Sequence, residues 1–352
     1  MLNIPAEDVP LRREFTVLLD PAGVQPSSLP TIDLIPENLR SGLQWFLVDH
    51  NGPRDDIVNK DRTNILGLID HHADEEGNLT TSKDWPRVMQ EVGSCGSLIA
   101  AHTNYDRSFW NPGLAQVALG PILIDTNNLK SSKTTDVDRK AVSFLADIFE
   151  SSQTGQTPST SPDQIILAMR QGEFDTLSTA KADIDRLSVE EVLRKDYKEW
   201  TVSSPPAAGA GAAKNVPPPA GIKYGISSVV KGLPWLEAKS QTERGSELAP
   251  LASRYGKLRQ GLELFVINAA STDGRGKALR ELHVFDFSGR FAARLVGDAR
   301  AELGLVGEPE LLPLEQGPGC HFRARIGKNM SRKLTAPLVR KSIEAVLQGT
   351  PG

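Results

Sequence analysis

The chain has 352 residues, of which 39% are hydrophobic and 24% charged, as in an ordinary globular protein rather than a fibrous or disordered one. No uninterrupted apolar run approaches the roughly 20 residues of a membrane span, and the N-terminus lacks the basic and apolar segments of a secretory signal. Two cysteines, Cys95 and Cys320, make neither a disulfide framework nor a four-ligand zinc site, which favours a cytoplasmic location. The net charge of -4 excludes a general polyanion binder, so any affinity for phosphate must be local.

Apolar runs that end in acidic residues organise the first half of the chain. Such runs, bounded by polar turns, are typical of buried strands in a parallel sheet. Segments with helical spacing lie between and after them, and residues 135–150 are well patterned as a helix. The three runs are residues 43–48, 66–69 and 119–124, followed by Asp49, by Asp70 with His71 and His72, and by Asp125. Strands that alternate with helices predict an α/β fold with a parallel sheet.

The composition changes after residue 150, which predicts a second domain. Residues 151–163 are rich in Ser, Thr, Gln and Pro, as in a loop or linker, and a helix over 164–171 follows. We assign residues 1–178 to an N-terminal domain and 179–352 to a smaller α/β domain. Its predicted strands are 197–202, 222–229, 262–269 and 281–287, and its last helix ends at Leu347. The Pro, Ala and Gly tract of residues 203–219 predicts a disordered insert.

Asp49, Asp70, His71 and Asp125 form a set of hard oxygen and nitrogen ligands. Ligands bind beyond the carboxyl ends of parallel strands, where these side chains are expected. The set suits Mg²⁺ or Mn²⁺ better than Zn²⁺, and two such metals can clamp a water and a phosphoryl group. The alternative is that these acids are caps and turn residues after strands.

Residues 93–97, Gly-Ser-Cys-Gly-Ser, lie between a predicted strand and a predicted helix. Small residues at this position allow backbone N–H groups to face an anion at the helix N-terminus, although such residues also make plain turns. Cys95 is expected to be a small packed side chain rather than a nucleophile. His102 is expected to have a packed or surface role.

A local cationic surface is predicted near the C-terminus. Residues 316–343 contain no Asp or Glu and seven Lys or Arg, namely Arg323, Arg325, Lys328, Arg332, Lys333, Arg340 and Lys341. Such side chains can hold a polyanion, whereas a solvated helix face is the better interpretation for Arg340 and Lys341. Because Phe322 is the only aromatic residue among them, stacking on nucleic acid is poorly supported and we expect no nucleic-acid partner.

At this point the motifs resemble those of a known family. Residues 69–72, Ile-Asp-His-His, are similar to the signature of DHH phosphoesterases, with residues 48–51 and 125–127 similar to its flanking acidic motifs and 93–97 to its small-residue turn. Residues 195–198 and 329–333 resemble the two basic motifs of the C-terminal domain called DHHA2. Residues 224–231 and 234–236 are most similar to fungal exopolyphosphatases, to which prune-type phosphodiesterases and manganese-dependent pyrophosphatases are related. The resemblance covers nearly the whole chain, and the triple-glycine and histidine motif of the exonucleases with the same signature is absent.

The resemblance implies a metal site for two Mn²⁺ or Mg²⁺ ions. Asp49 would bridge them, and His71 and Asp125 would complete the shell of one metal. Asp70 would be a ligand or lie just outside the shell.

The resemblance also implies how substrate is held. His72 and Ser94 would contact its phosphates from the first domain. Lys198, Arg332 and Lys333 would act as catalytic and substrate-binding cations from the second, with the active site in the cleft between the domains. The expected protein is a monomer or weak dimer with no membrane partner.

One motif of the family is missing. An Asp-x-Asp pair after a first strand should precede Asp49, and Asp55 and Asp56 do not replace it because no apolar strand precedes them. The expectation is an N-terminally incomplete domain that could have lost one of two metals. The expected activity is metal-dependent release of terminal phosphate from inorganic polyphosphate. The alternatives are a pyrophosphatase, a prune-like nucleotide phosphodiesterase, or a truncated non-catalytic phosphate-binding protein.

Overall fold

A computed structural model describes the chain over residues 1–52, 57–59, 63–74, 81–151, 162–202, 221–245, 247–259, 261–315 and 317–349, with backbone only at 149–151 and 162–169. The chain divides into two compact units, Met1–Asp183 and Ile184–Gly352, near the boundary expected at 178/179. The predicted insert at 203–219 and the pair Asp55 and Asp56 lie outside the described residues. No described helix combines the length and apolar content that a membrane span requires.

The first unit contains a parallel sheet of three short strands in the order β1-β2-β3, namely β1 (Trp45–Val48), β2 (Ile65–Asp70) and β3 (Arg87–Met89). The centre of β2 is buried on both faces, which explains its continuous apolar run. The helices of the first unit are α1 (Arg13–Leu19), α2 (Glu37–Arg40), α3 (Cys95–His102), α4 (Pro112–Asp125), α5 (Asp136–Ser151) and α6 (Pro162–Ala182). Short 3₁₀ turns connect several of them. The strands predicted before Asp49 and Asp70 and the helix predicted over 135–150 are confirmed.

The strand predicted over 119–124 is wrong, because these residues form the second half of α4. The helix begins at Pro112 after Asn111, whose side chain accepts a hydrogen bond from the Leu114 N–H at 2.9 Å. A short apolar run buried on all sides has the same composition in a helix and in a strand, so periodicity does not separate them. Pro121 within the run was the sign against a central strand. Asp125 is therefore the last residue of a helix, not a residue that follows a strand.

The second unit is built on a six-stranded mixed sheet in the order β4-β5-β6-β7-β9-β8, in which only β5 and β6 are parallel. The strands are β4 (Tyr197–Val202), β5 (Ile222–Val229), β6 (Leu262–Thr272), β7 (Ala278–Asp286), β8 (Leu312–Pro313) and β9 (Cys320–Ile326). The helices are α7 (Val189–Lys195), α8 (Leu233–Arg244), α9 (Leu248–Leu258), α10 (Ala292–Asp298), α11 (Arg300–Leu303) and α12 (Arg332–Leu347). The four predicted strands are confirmed, and β9 was missed within the basic segment.

Helices cover both faces of this sheet. On one face, Val266, Val284 and Phe322 pack against α10 and α12, and we call it the α12 face. On the other, Phe265 and Phe285 pack against α7, α8 and α9. Two-sided burial explains why β6 is apolar along most of its length.

Candidate metal centre

Asp49 follows β1 directly and turns the chain away from the sheet. Its N–H donates to the Ile69 carbonyl of β2 at 3.0 Å, and its φ of 63° is in the left-handed region. Aspartate is among the few non-glycine residues that tolerate this conformation. The side chain remains 59% exposed, so its carboxylate is open to a ligand.

His71 is held in the tautomer that a metal ligand needs. Its Nδ1 lies 3.0 Å from the Val92 carbonyl, which can only accept, so Nδ1 carries the proton of the neutral ring. The lone pair is then on Nε2, which lies 3.3 Å from Oδ1 of Asp49. A backbone carbonyl on the distal nitrogen is the usual support of a ligating histidine. The side chain is only 2% exposed, so its orientation is fixed by packing.

His72 completes a group of three ligands. Asp49, His71 and His72 each offer one ligand atom, and the three atoms lie within 4.8 Å of one another. The Nδ1 of His72 is 3.9 Å from Oδ1 of Asp49 and 2.6 Å from Oδ1 of Asp70. The predicted set had Asp70 and Asp125 in place of His72. Which of these residues bind a metal stays a prediction.

Asp70 is fully buried and its carboxylate is saturated with donors. It accepts from the backbone N–H of His71 at 2.7 Å, from His72 Nδ1, and from Nδ2 of Asn51 at 2.6 Å. Burial alone would raise its pKa, but the hydrogen bonds from His72 and Asn51 outweigh burial and lower the pKa to about 2. In this arrangement Asp70 orients His72. Asn51 also donates to the Ala73 carbonyl at 2.9 Å. The sequence alone did not predict a role for Asn51.

Asp125 and Ser94 are joined by a hydrogen bond from the Ser94 hydroxyl to Oδ2 of Asp125 at 2.7 Å. As the last residue of α4, Asp125 adds negative charge at the negative end of the helix dipole, which is unfavourable unless a cation is near. Burial, and then the charges of Asp49, Asp70 and Asp125, raise the pKa of the Cys95 thiol to about 12. The charges of three predicted acids therefore act on one thiol. Cys95 is buried and protonated at neutral pH, as expected of a packed residue.

Asp138 holds the turn at residues 93–97. Its buried carboxylate accepts from the N–H groups of Gly93 at 2.8 Å and Ser94 at 3.1 Å, from the Ser97 hydroxyl at 2.6 Å, and from both donors of Thr135. The N–H groups of Gly93 and Ser94, expected to face a bound anion, are therefore occupied by a carboxylate of the protein. A Cβ at Gly93 would lie 2.5 Å from Thr126 Cγ2, so only glycine fits there. Nothing in the local sequence marks Asp138 beyond its place in the first turn of α5.

The predicted cations of the second unit lie near one another. The NH1 group of Arg332 donates to the backbone carbonyl of Asp196 at 2.7 Å and to its Oδ1 at 2.8 Å. Asp196 lies two residues before Lys198 of β4. Arg332 and Lys333 open α12, whose first turn contains no acid, so their charges add to the positive end of the helix dipole.

Other basic residues of the C-terminal segment are paired on the surface. Arg323 contacts Glu237 at 2.6 Å, Arg340 contacts Glu344 at 2.9 Å, and Lys341 contacts Glu302 at 3.7 Å. The solvated role expected for Arg340 and Lys341 agrees with these exposed pairs. They contribute little to binding a polyanion.

Comparison with known proteins shows which family the chain resembles. Residues 175–342 match the family model described as "DHHA2 domain". The chain is 33% identical over 252 residues to a Schizosaccharomyces pombe protein named "Putative exopolyphosphatase", covering 67% of this chain and 56% of that protein. It is 30% identical over 168 residues to a Deinococcus radiodurans protein named "Probable manganese-dependent inorganic pyrophosphatase", covering 47% of this chain and 48% of that protein. The chain thus spans about half the length of the curated relatives it matches.

A solved structure shares the fold. The crystal structure of a Methanococcus jannaschii protein described as a "putative family II inorganic pyrophosphatase" aligns with a TM-score of 0.58 and 21% identity, over 94% of this chain and 88% of that one. The domain match and the sequence similarities agree with the order of motifs around Asp70 and Arg332. The chain therefore belongs with the DHH-family phosphoesterases that carry a C-terminal DHHA2 domain.

Proposed function

We propose that this chain is a metal-dependent phosphohydrolase that releases terminal orthophosphate from inorganic polyphosphate. The observation that carries the proposal is the group of Asp49, His71 and His72 at the carboxyl ends of parallel strands. The name of the Schizosaccharomyces pombe relative supports polyphosphate as the substrate.

The donor set fits a hard divalent cation. One carboxylate and imidazole nitrogens suit Mn²⁺, and the relative named as manganese-dependent supports that ion, with Mg²⁺ as the second candidate. Asp49 and His71 would hold it, with Asp125 nearby at the negative end of α4. When bound, such a cation lowers the pKa of a coordinated water and offsets charge on the phosphoryl group.

The chain's own residues prepare the rest of the reaction. Asp70 accepts a hydrogen bond from Nδ1 of His72, so Nε2 of His72 can donate to a phosphate oxygen in the imidazolium form of the ring. Cys95 is buried and protonated, and so is no nucleophile, which favours direct displacement by water over a covalent intermediate.

The cations of the second unit are proposed to bind the phosphates. Asp196 engages one nitrogen of Arg332, which fixes the planar fork and leaves its other N–H groups for phosphate oxygens. Lys198 and Lys333 would add point charges beside it. Neutralising a polyanion at these positions lets water approach the terminal phosphorus, because charge repulsion is reduced.

Pyrophosphate hydrolysis is the second candidate, supported by the name of the Deinococcus radiodurans relative. The same residues serve both reactions, so substrate preference separates them. A phosphate-binding protein without catalysis is the candidate from another class.

The test is phosphate release by the purified chain with Mn²⁺ or Mg²⁺, from long polyphosphate and from pyrophosphate. We expect turnover of polyphosphate that EDTA abolishes and that His71→Gln lowers by at least about a hundredfold, since a ligand is lost. His102→Gln, an exposed histidine at the end of α3, is the matched control and should retain full activity. Faster turnover of pyrophosphate would favour the second candidate. Tight polyphosphate binding without any turnover would replace the hydrolase by a binding protein.

A further inference from the structure

Polar side chains form a row across four neighbouring strands on the α12 face of the second sheet. Lys198 lies opposite Ile226, a core residue of that face, and Ser228 lies beside Asn268. Arg280 of β7 extends the row diagonally, because it lies opposite Ala270, two residues beyond Asn268, and its guanidinium reaches the Asn268 side chain. Adjacent strands are about 4.8 Å apart, so β4 and β7 at the two ends of the row are separated by about 14 Å.

The N-terminus of α12 begins over this row. The side-chain amide of Asn268, which is fully buried, donates to the Met330 carbonyl and to the Thr335 hydroxyl, each at 3.1 Å. Arg280 pairs with Ile326, the last residue of β9, after which residues 327–331 lead into α12. Asn268 and this strand pairing therefore place Arg280 beside the segment that carries Arg332 and Lys333.

Arg280 carries a charge that no carboxylate among the described residues neutralises. In the part of the chain that the structure describes, its one polar contact is from NH1 to Oδ1 of Asn268 at 3.3 Å, with no ion pair to a carboxylate. Arg323 and Arg332 differ, because each contacts an acid. Burial lowers the pKa of Arg280. A half-buried cation without a counter-charge is costly, so a bound anion would stabilise it.

We propose that Arg280 binds a phosphate group of a linear polyphosphate chain, beyond the phosphates bound by Lys198, Arg332 and Lys333. The proposal rests on the proposed function and specifies its substrate, since Lys198 and Arg280 stand at opposite ends of the row. A chain of several linked phosphates can contact both ends, whereas pyrophosphate offers only two phosphates. Arginine suits this role because its planar fork donates two parallel hydrogen bonds to phosphate. Asn268 is the positioning residue that keeps the fork beside α12.

The test compares two arginines of the same sheet in the full chain. Arg280→Met removes the charge and keeps an unbranched apolar stem. Arg325→Met is the matched control, because Arg325 is exposed in β9 on the opposite face and its loss changes the net charge equally. Binding of tripolyphosphate and pyrophosphate is measured by calorimetry at low salt in EDTA, so that the protein's cations alone are measured.

We expect Arg280→Met to weaken tripolyphosphate binding at least about tenfold, the size of one charge-assisted hydrogen bond, and pyrophosphate binding by less than about threefold. Arg325→Met should stay within about twofold of the parent for both. The proposal is overturned if the parent binds no tripolyphosphate, if Arg280→Met matches the parent, if both variants weaken binding equally, or if both ligands are affected equally.

A second measurement needs no variant and so does not depend on folding. Phenylglyoxal labelling of the parent, read by mass spectrometry, should fall at Arg280 by at least about threefold under saturating tripolyphosphate and stay constant at Arg325. Unchanged labelling of Arg280 would overturn the proposal.

Polyphosphate hydrolysis separates failure of this inference from failure of the proposed function. If the parent is active and Arg280→Met keeps the same KM, only this inference fails. If the parent is inactive but tripolyphosphate binding depends on Arg280, the hydrolase assignment fails and the anion site stands.

Discussion

Replacing Asp138 with asparagine should loosen the first unit, because this buried carboxylate is the hub that joins the turn at residues 93–97 to α5. Its Oδ1 accepts from the N–H of Ser94 and the hydroxyl of Ser97. Its Oδ2 accepts from the N–H of Gly93 and from the N–H and hydroxyl of Thr135. The substitution keeps the shape of the side chain and places an NH₂ group where Oδ2 was.

The cost follows from the donors that lose a partner. The Thr135 hydroxyl can rotate and accept from the new amide, but the N–H groups of Gly93 and Thr135 cannot. Each buried donor left unpaired costs about 1–3 kcal/mol, and the bonds kept at Oδ1 lose their charge assistance, so we expect a loss of about 3–5 kcal/mol. This is a large fraction of the stability of a typical domain, which is about 5–15 kcal/mol.

The assay is amide hydrogen exchange of the peptide that covers residues 93–103, with β6 of the second unit as an internal reference. Asp138→Asn should speed exchange in the first peptide and leave β6 unchanged. Asp136→Asn is the matched control, because Asp136 is exposed in the same helical turn and contributes at most about 1 kcal/mol through the helix dipole. If Asp138→Asn lowers the free energy of opening by less than about 1 kcal/mol, or if Asp136→Asn lowers it equally, Asp138 does not have this role.

Three further predictions follow from single contacts. Arg332→Ala should raise the KM for polyphosphate at least about tenfold and leave Mn²⁺ affinity unchanged, as measured by kinetics and metal titration. Because the pKa of Asp70 is lowered from 3.8 to about 2, its stabilisation is full above its unfolded pKa and is lost as pH falls through about 2. Melts in EDTA should therefore show Asp70→Asn well below the parent at pH 6, with the gap narrowing toward pH 2.5. Gly67→Ala should cost about 1–3 kcal/mol in urea unfolding, because a Cβ would lie 2.5 Å from the Pro86 carbonyl, whereas Gly172→Ala in the open part of α6 should be neutral or stabilising.

The parts of the fold that were predicted correctly depend on local patterns. The runs before Asp49 and Asp70 are short, apolar and bounded by polar turns, and the first contains Trp45, Phe46 and Val48, so a strand was the natural interpretation. The run before Asp125 has the same apolar character but belongs to a helix packed against α5, which composition does not reveal. Tertiary burial decided between the two outcomes.

The sequence predicted which residues would form the candidate site but not the hydrogen bonds that hold them. Asp49 and His71 were expected to be neighbours because both follow parallel strands, and they are. Asp138 was missed because three of its four partner residues lie more than 40 positions away in the sequence, and no local feature of α5 signals them. Asn51 was missed as the donor to Asp70 because the two residues are 19 positions apart and no local pattern links them.

Two acids of the candidate site occupy positions that an isolated chain would avoid. Asp49 has a left-handed backbone, and Asp125 adds charge to the negative end of α4. A strained backbone costs of order 1–3 kcal/mol and a charge at the unfavourable end of a helix about 0.3–1 kcal/mol, and both persist where the surrounding structure enforces them. Here the enforcing contacts are visible, since the Asp49 N–H is held by Ile69 and the Asp125 carboxylate by Ser94. A cation bound near Asp125 would offset the unfavourable charge at the end of α4, whereas the left-handed backbone of Asp49 would keep its cost. Relief of that charge would add to the binding energy of a metal, so Asp125→Asn, more than a change at the buried Asp70, tests the metal affinity of the proposed site.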